Sequence, residues 1–248
     1  MLKIRIIPVL TFNGFSLVKT KQFKNPRTIG NPIQAARIFN NRNVDELIFV
    51  DIEASKQNRK INLNVVSKII EECYMPITIG GGISSFEDIN NLLKIGADKV
   101  LIKSKAIEDP TFISEAVNYF GSQCISIAVD VFKQNNSYFI YQNNLESISL
   151  ESFILKMNTL CVGEFAVNYV NNDGMMNGYE LQLYNEIMNM TEKPIIAIGG
   201  ASEPNHFVEL VASGFFGGIA ASSIYNFTEY TPNDVKLAIN KEKKLARL

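Results

Sequence analysis

Short runs of apolar, β-branched residues alternate with amphipathic stretches along the whole chain. The runs at 3–11, 46–52, 75–80, 99–104, 124–132, 164–170, 194–198 and 217–222 predict eight strands. Several are almost continuously apolar, as parallel strands covered on both faces are. Helical periodicity follows each of them, at 31–41, 62–73, 86–95, 109–120, 147–160, 178–190, 204–213 and 232–245. Eight strand–helix units predict a (β/α)8 TIM barrel, with residues 1–248 forming a single domain. An open sheet would require a long or irregular crossover in the middle, and none is present. The main interruptions, 12–30 and 133–146, follow the first and fifth strands, so both belong at the C-terminal face, where such barrels carry their sites.

The chain also repeats itself. A shift of 118 residues superimposes Glu46 on Glu164, Pro76 on Pro194 and Gly81-Gly82 on Gly199-Gly200. It also aligns Ser84 with Ser202, Gly96 with Gly214 and Ser104 with Ser222. One register across both halves predicts a barrel built from two half-barrel repeats, neither able to close its own sheet edges.

Composition narrows the chemistry. With 24 basic against 25 acidic residues, nothing favours nucleic acid or an anionic membrane as partner. No apolar run reaches the roughly 18 residues of a membrane span, and Met1-Leu2-Lys3-Ile4-Arg5 runs into strand-like sequence without a cleavage pattern, so a soluble cytoplasmic protein is expected. Cys73, Cys124 and Cys161 lie in apolar stretches without metal or redox spacing and read as reduced core thiols. His206 is the only imidazole, which excludes a His-rich metal site, and no Gly-x-Ser-x-Gly elbow accompanies it. Following Pro204-Asn205 at a helix start, it is expected to be solvated or at an interface rather than catalytic.

Each half carries a strand ending in consecutive glycines, Gly80-Gly81-Gly82 and Gly199-Gly200. A second strand ends in serine 22 residues later, at Lys103-Ser104 and Ala221-Ser222. Glycines admit an anion close to the backbone, and a strand-to-helix turn offers N–H donors together with the dipole of the next helix. Two such cradles across the mouth suit a ligand phosphorylated at both ends; the plainer reading is that the glycines only permit tight turns. Asp51 and Asp130 end the second and fifth strands in apolar settings (FVD, IAVD), which suits a carboxyl for proton transfer. Each could instead cap a loop or pair with Lys19. Half-barrel symmetry pairs Asp130 with Thr11, which does not titrate near neutral pH.

The segments RIIPVL (5–10), VKT (18–20), DELIFVDIEAS (45–55), GGGISSFEDINNLLKIGADKV (80–100), FGSQC (120–124), DGMMNGYEL (173–181) and IGGASEPNHF (198–207), in this order, resemble the cyclase subunit of imidazole glycerol phosphate synthase. The resemblance covers essentially the whole chain. It implies a (β/α)8 lyase of histidine biosynthesis that takes ammonia from a glutaminase partner through its barrel and adds it to a bis-phosphorylated ribonucleotide, with no metal and no cofactor. Carried over, Gly82, Lys103 and Ser104 form one phosphate site, with Lys-Ser in place of the family's Asn-Thr. Asp173, Gly174, Gly200, Ala221 and Ser222 line the other. Arg5, Glu46, Lys99 and Glu164 match the charged gate for ammonia, and Asp98 and Gln123 match the face that docks the glutaminase. Four charges on inward positions imply mutual pairing around a polar passage.

The departures from this pattern lie at the opposite end. The family's Cys-Leu-Asp is Val9-Leu10-Thr11, and its Asp-Arg-Asp-Gly-Thr is Asn171-Asn172-Asp173-Gly174-Met175. The Gly-, Lys- and Thr-rich segment after the fifth strand is Asn135-Asn136-Ser137-Tyr138-Phe139-Ile140-Tyr141. Losing one of two acid/base carboxylates removes a contribution of about 10²–10⁴ in rate. Val9-Leu10 and Leu17-Val18-Lys19-Thr20 are similar instead to a paralogous branch of cyclase-like proteins encoded with surface-glycan genes. Those proteins pair with a glutaminase and are associated with a separate amidotransferase that makes acetamidino groups on nonulosonic acids or lipopolysaccharide sugars. The favoured expectation is therefore an ammonia-conducting partner with impaired cyclase chemistry. The alternatives are a working cyclase using Asp130 with Lys19 or Asp51, and a sugar-phosphate isomerase or phosphate-binding barrel.

Overall fold

A computed structural model describes residues 3–142, 148–243 and 245–247. The chain opens with β1 (Arg5–Phe12), the hairpin β2 (Leu17–Lys21) and β3 (Lys24–Gly30), and α1 (Pro32–Asn41). Next come β4 (Leu47–Asp51), α2 (Leu63–Ile70), β5 (Ile77–Gly80), α3 (Phe86–Lys94) and β6 (Lys99–Ile102). The middle holds α4 (Ser104–Glu108), α5 (Pro110–Phe120), β7 (Ile125–Gln134), β8 (Ser137–Ile140) and α6 (Leu150–Thr159). The remainder is β9 (Glu164–Tyr169), α7 (Leu181–Met190), β10 (Ile195–Ile198), α8 (Pro204–Ala212), β11 (Gly218–Ala221), α9 (Ser223–Phe227) and α10 (Pro232–Lys243).

Eight parallel strands close in the order β1, β4, β5, β6, β7, β9, β10, β11, and β11 pairs back onto β1. The fold is a (β/α)8 barrel, and its strands coincide with the eight predicted runs to within two residues at most ends. The two interruptions are not loops alone. β1 turns into the β2–β3 hairpin, and β7 runs on to Gln134 and pairs antiparallel with β8. These strands are only four to seven residues long, too short to carry a periodic signal of their own. Residues 143–146 of the second interruption, residue 147 at the start of the predicted 147–160 helix and residue 244 within the predicted 232–245 helix lie outside the described residues.

Local sequence sets the helix starts. Asn31 accepts from the N–H groups of Ile33 and Gln34 ahead of Pro32, and Ser85 and Asp88 form a reciprocal capping box on α3. Asp109 caps α5, with Pro110 in its first turn. Two apolar layers result. One fills the space between strands and helices, and a smaller one inside the barrel holds Ile7, Val9, Ile48, Leu101, Ala166, Ile196 and Ala220. No helix among the described residues is long and apolar enough to cross a membrane.

The cysteine expectation holds in part. Cys73, Cys124 and Cys161 are all free thiols, but Cys73 and Cys124 are only partly buried and Cys161 is exposed. Cys73 packs against the core from the segment before β5, Cys124 ends a short 3-10 turn before β7, and Cys161, with φ of 55°, lies in the turn before β9. Burial lifts the Cys73 thiol to about 12.

Tyr184 ties the outer layer to the site. Its ring is fully buried, its hydroxyl donates to the carbonyl of Ile198 at 2.7 Å, and it accepts from the Ile198 N–H at 3.1 Å. Ile198 is the last residue before Gly199-Gly200. Tyr184→Phe leaves both backbone groups without this partner, and thermal or urea unfolding should show a loss of about 1–3 kcal/mol.

Candidate functional site

Register fixes which residues face the lumen. Arg5 pairs with Gly218, Ile48 with Thr78, Thr78 with Lys99, and Ser126 with both Leu101 and Glu164. At the strand N-termini, Arg5 Nη1 lies 2.6 Å from Glu46 Oε1 and Nη2 lies 2.5 Å from Glu164 Oε1. Lys99 Nζ meets the other oxygens of the same two glutamates, at 3.3 Å and 3.0 Å. The result is a closed ring of alternating charges across the barrel floor. Burial works against the Arg5 charge, but Glu164 and Glu46 outweigh it and hold the guanidinium pKa above its ordinary value. Glu46 and Glu164 are buried, so each needs both cations.

Above this floor the lumen is apolar, and it opens at the strand C-termini into a cavity of about 730 Å³. Thr11, Lys19, Asp51, Gly82, Lys103, Ser104, Asp130, Asp173, Gly174, Gly200, Ala221 and Ser222 all line it. The predicted residues are therefore brought together, but their pairing differs from expectation.

Asp51 is paired with Arg59, not Lys19. Both guanidinium nitrogens reach its carboxylate, at 2.6 Å and 2.8 Å, and its Oδ1 also accepts from Glu53 and Ala54 N–H. That carboxylate holds the loop after β4. Asp130 is paired as well, because Lys103 Nζ lies 2.6 Å from its Oδ2. Lys103 is thus turned inward onto a carboxylate instead of standing ready for an anion. Thr11 donates its hydroxyl to the Val18 carbonyl and so pins the β2–β3 hairpin to β1.

Lys19 is buried with no carboxylate within 4 Å among the described residues, and Asp173 is the opposite charge that acts on it. Desolvation lowers the Lys19 pKa, and Asp173 counteracts only part of this. Asp173 is shifted up, chiefly by burial, with Lys19 and a 3.1 Å hydrogen bond from Thr20 opposing.

The two glycine cradles differ. Gly82 has φ of 65° and gives its N–H to Ser55 Oγ at 3.3 Å; Ser84 N–H goes to Asp88, whose carboxylate also takes Lys60. Gly200 has φ of 100° and accepts the Gly178 N–H at 2.8 Å. Gly174, at φ 70°, packs so closely on the Thr20 carbonyl that any Cβ there would clash. Ser222 is buried, with Asn226 Nδ2 at 3.4 Å from its hydroxyl. The helices that start at Ser104 and Ser223 have only five residues, so the helix dipole expected at each cradle amounts to little more than one turn. His206 is partly exposed, at 16% of its side chain, and is also hydrogen-bonded. It accepts the Ser202 N–H at Nδ1 (3.2 Å) and packs near Gly178, bracing the second cradle.

The match to the family model for histidine biosynthesis protein spans residues 5–229. The chain is 42% identical to "Putative imidazole glycerol phosphate synthase subunit hisF2" of Campylobacter jejuni, over the full length of both. A protein of the same name from Vibrio vulnificus is 38% identical over all of this chain and 92% of its own. The imidazole glycerol phosphate synthase subunit HisF of Staphylococcus saprophyticus is 37% identical over 97% of this chain and 98% of its own. The chain is a HisF-like member of the histidine biosynthesis protein family.

In this HisF-like barrel, Asp98 and Gln123 are both exposed at the floor end, Asp98 immediately before Lys99 of the charged ring. Asp98 also accepts the Ile77 N–H at 2.8 Å. Sequence reasoning missed Arg59, Phe23, Tyr141 and Asn168. Arg59 follows Asp51 by eight residues in a loop with no periodicity. Tyr141 gives its N–H to the Asp130 carbonyl beside the β7–β8 hairpin, Asn168 is the register partner of Asp130 on β9, and Phe23 reaches Tyr141 from the β2–β3 turn.

The Lys19 shift carries a sign. Its folded pKa lies below the unfolded value, so the charged form costs stability, and that cost fades as pH rises toward the unfolded lysine pKa. Lys19→Met should therefore raise the melting temperature at pH 7, by an amount that shrinks above pH 9. A gain that is flat from pH 6 to pH 10 would contradict the desolvation.

Proposed function

We propose that this HisF-like subunit docks a glutaminase and conducts ammonia from the floor to the mouth of its barrel, while its own cyclase chemistry is impaired. The observation that carries this reading is the contrast between the two ends. The charged ring at the floor is complete, whereas at the mouth Thr11 stands where the family has an acid and Asp130 is tied to Lys103. A packed barrel without a passage would be served at lower cost by apolar residues in place of four charges, two of them buried. Paired as they are, the side chains admit a small neutral molecule only when the ring opens.

On this reading, Asp98 and Gln123 belong to the glutaminase interface. Gly82 and Ser104 on one side, with Asp173, Gly174, Gly200, Ala221 and Ser222 on the other, form what is left of the sites for a phosphorylated ligand. The ammonia is destined for a third protein, an amidotransferase that forms amidines on surface-glycan sugars, and the complex works in the cytoplasm. The glycan assignment rests on the resemblance of Val9-Leu10 and Leu17-Val18-Lys19-Thr20, and two relatives that bear the hisF2 name support a paralogous branch as such.

One observation favours the second reading, a diverged but working cyclase. Lys19, with its lowered pKa, lies in the same cavity as Asp130 and Asp173, so a proton-transferring pair is present.

Two experiments separate these readings. Mixed with a glutaminase subunit of an imidazole glycerol phosphate synthase, the chain should stimulate glutamate release, and Arg5→Ala, which leaves Lys99 alone between two buried glutamates, should abolish coupling without abolishing docking. Absence of docking and stimulation would overturn the proposal. In a histidine auxotroph lacking its cyclase, the wild-type chain should fail to complement. Thr11→Asp combined with Lys103→Asn should raise cyclase turnover, by at most about 10²–10⁴. Complementation by the wild type would favour the second reading.

A further inference from the structure

Lys103 occupies an unusual setting. Its ammonium is 2.6 Å from Asp130 Oδ2 and also lies over two aromatic rings, 5.9 Å from the centre of Phe23 and 5.5 Å from that of Tyr141. The rings meet edge to face at 5.3 Å and come from the two insertions, Phe23 at the tip of the β2–β3 hairpin and Tyr141 just after β8. Asp173 stands near enough to Asp130 for the two carboxylates to repel. Around the Lys103 ammonium, the named groups are therefore two aromatic faces and a carboxylate with a second carboxylate behind it. All of them attract a cation that donates hydrogen bonds, and none of them attracts an anion.

We infer that Phe23, Tyr141 and Asp130 form a binding box for an amino or amidino group of a small-molecule ligand, and that Lys103 fills this box as a tethered substitute when the ligand is absent. The inference goes beyond ammonia conduction and does not depend on it. It also reverses the sequence-based expectation for this half of the mouth, where Lys103 was placed on a phosphate. A ligand's cationic group would enter between the rings, donate to Asp130, and push Lys103 out toward the cavity. Exchanging one cation for another leaves Asp130 paired throughout, which keeps the swap affordable in a partly buried site.

Removing the tether tests this directly. Lys103→Ala should melt below the wild type, because Asp130 loses its partner. Ethylammonium or acetamidinium chloride should restore part of the loss, whereas sodium chloride at equal ionic strength and sodium phosphate should not. At ten times the dissociation constant the gain should be about 3 °C or more. Tyr141→Leu in the same background should weaken acetamidinium binding by about 2–5-fold, and Asp130→Asn should abolish it. If Lys103→Ala does not fold, Lys103→Asn, shorter but polar, replaces it in the same titration. Stabilisation by phosphate, equal stabilisation by all salts, or no response of either folded variant to ethylammonium and acetamidinium would overturn the inference.

Discussion

A charge placed inside a closed parallel barrel has to find its partner there. Because β11 pairs back onto β1, every inward side chain points into one narrow lumen, mostly apolar and largely closed to water. An ion left single in such a place costs several kcal/mol. The floor meets this demand with a ring in which Arg5 and Lys99 each bridge Glu46 and Glu164. The mouth meets it with Asp51–Arg59 and Asp130–Lys103. Lys19 and Asp173 are the incomplete case, and their opposite pKa shifts are the physical mark of that incompleteness.

The same constraint takes different forms at the two ends. At the floor, among the described residues, the ion pairs join Arg5, Glu46, Lys99 and Glu164 only to one another. At the mouth, the pairs are built into loops. Arg59 belongs to the loop after β4, Thr11 holds the β2–β3 hairpin through Val18, and Phe23 and Tyr141 bring the hairpin and the β8 extension together over Lys103. A carboxylate that is committed to holding a loop, or to an internal lysine, is a poor proton carrier. The geometry therefore disfavours two-carboxylate chemistry for a reason additional to Thr11.

Half-barrel equivalence, which is exact enough to align glycines and serines at one offset, does not extend to behaviour. Gly81-Gly82 and Gly199-Gly200 both take positive φ. Yet the first loop spends Gly82 and Ser84 N–H groups on Ser55 and Asp88, while the second is braced by Gly178 and His206. Equivalent backbone shape with different side-chain neighbours gives two cradles of unequal use, and only one half has a lysine at the end of its second strand.

The eight strands, their helices and the strand-end positions of the four floor charges were legible in the chain itself. Apolar runs buried on both faces carry a strong periodic signal, and the strand-end position of a residue places it at the floor or the mouth of a closed barrel. The short strands β2, β3 and β8 were not legible: β3 is exposed and polar, and the few buried residues of β2 and β8 make runs too short to show a period. Which charge meets which was likewise decided only by the fold. Lys103 and Asp130 are 27 residues apart and Asp51 and Arg59 eight, and nothing in those spacings distinguishes an anion site from an ion pair. The choice depends on side-chain direction across neighbouring strands and on the loops that close over them, and those are properties of the assembled barrel.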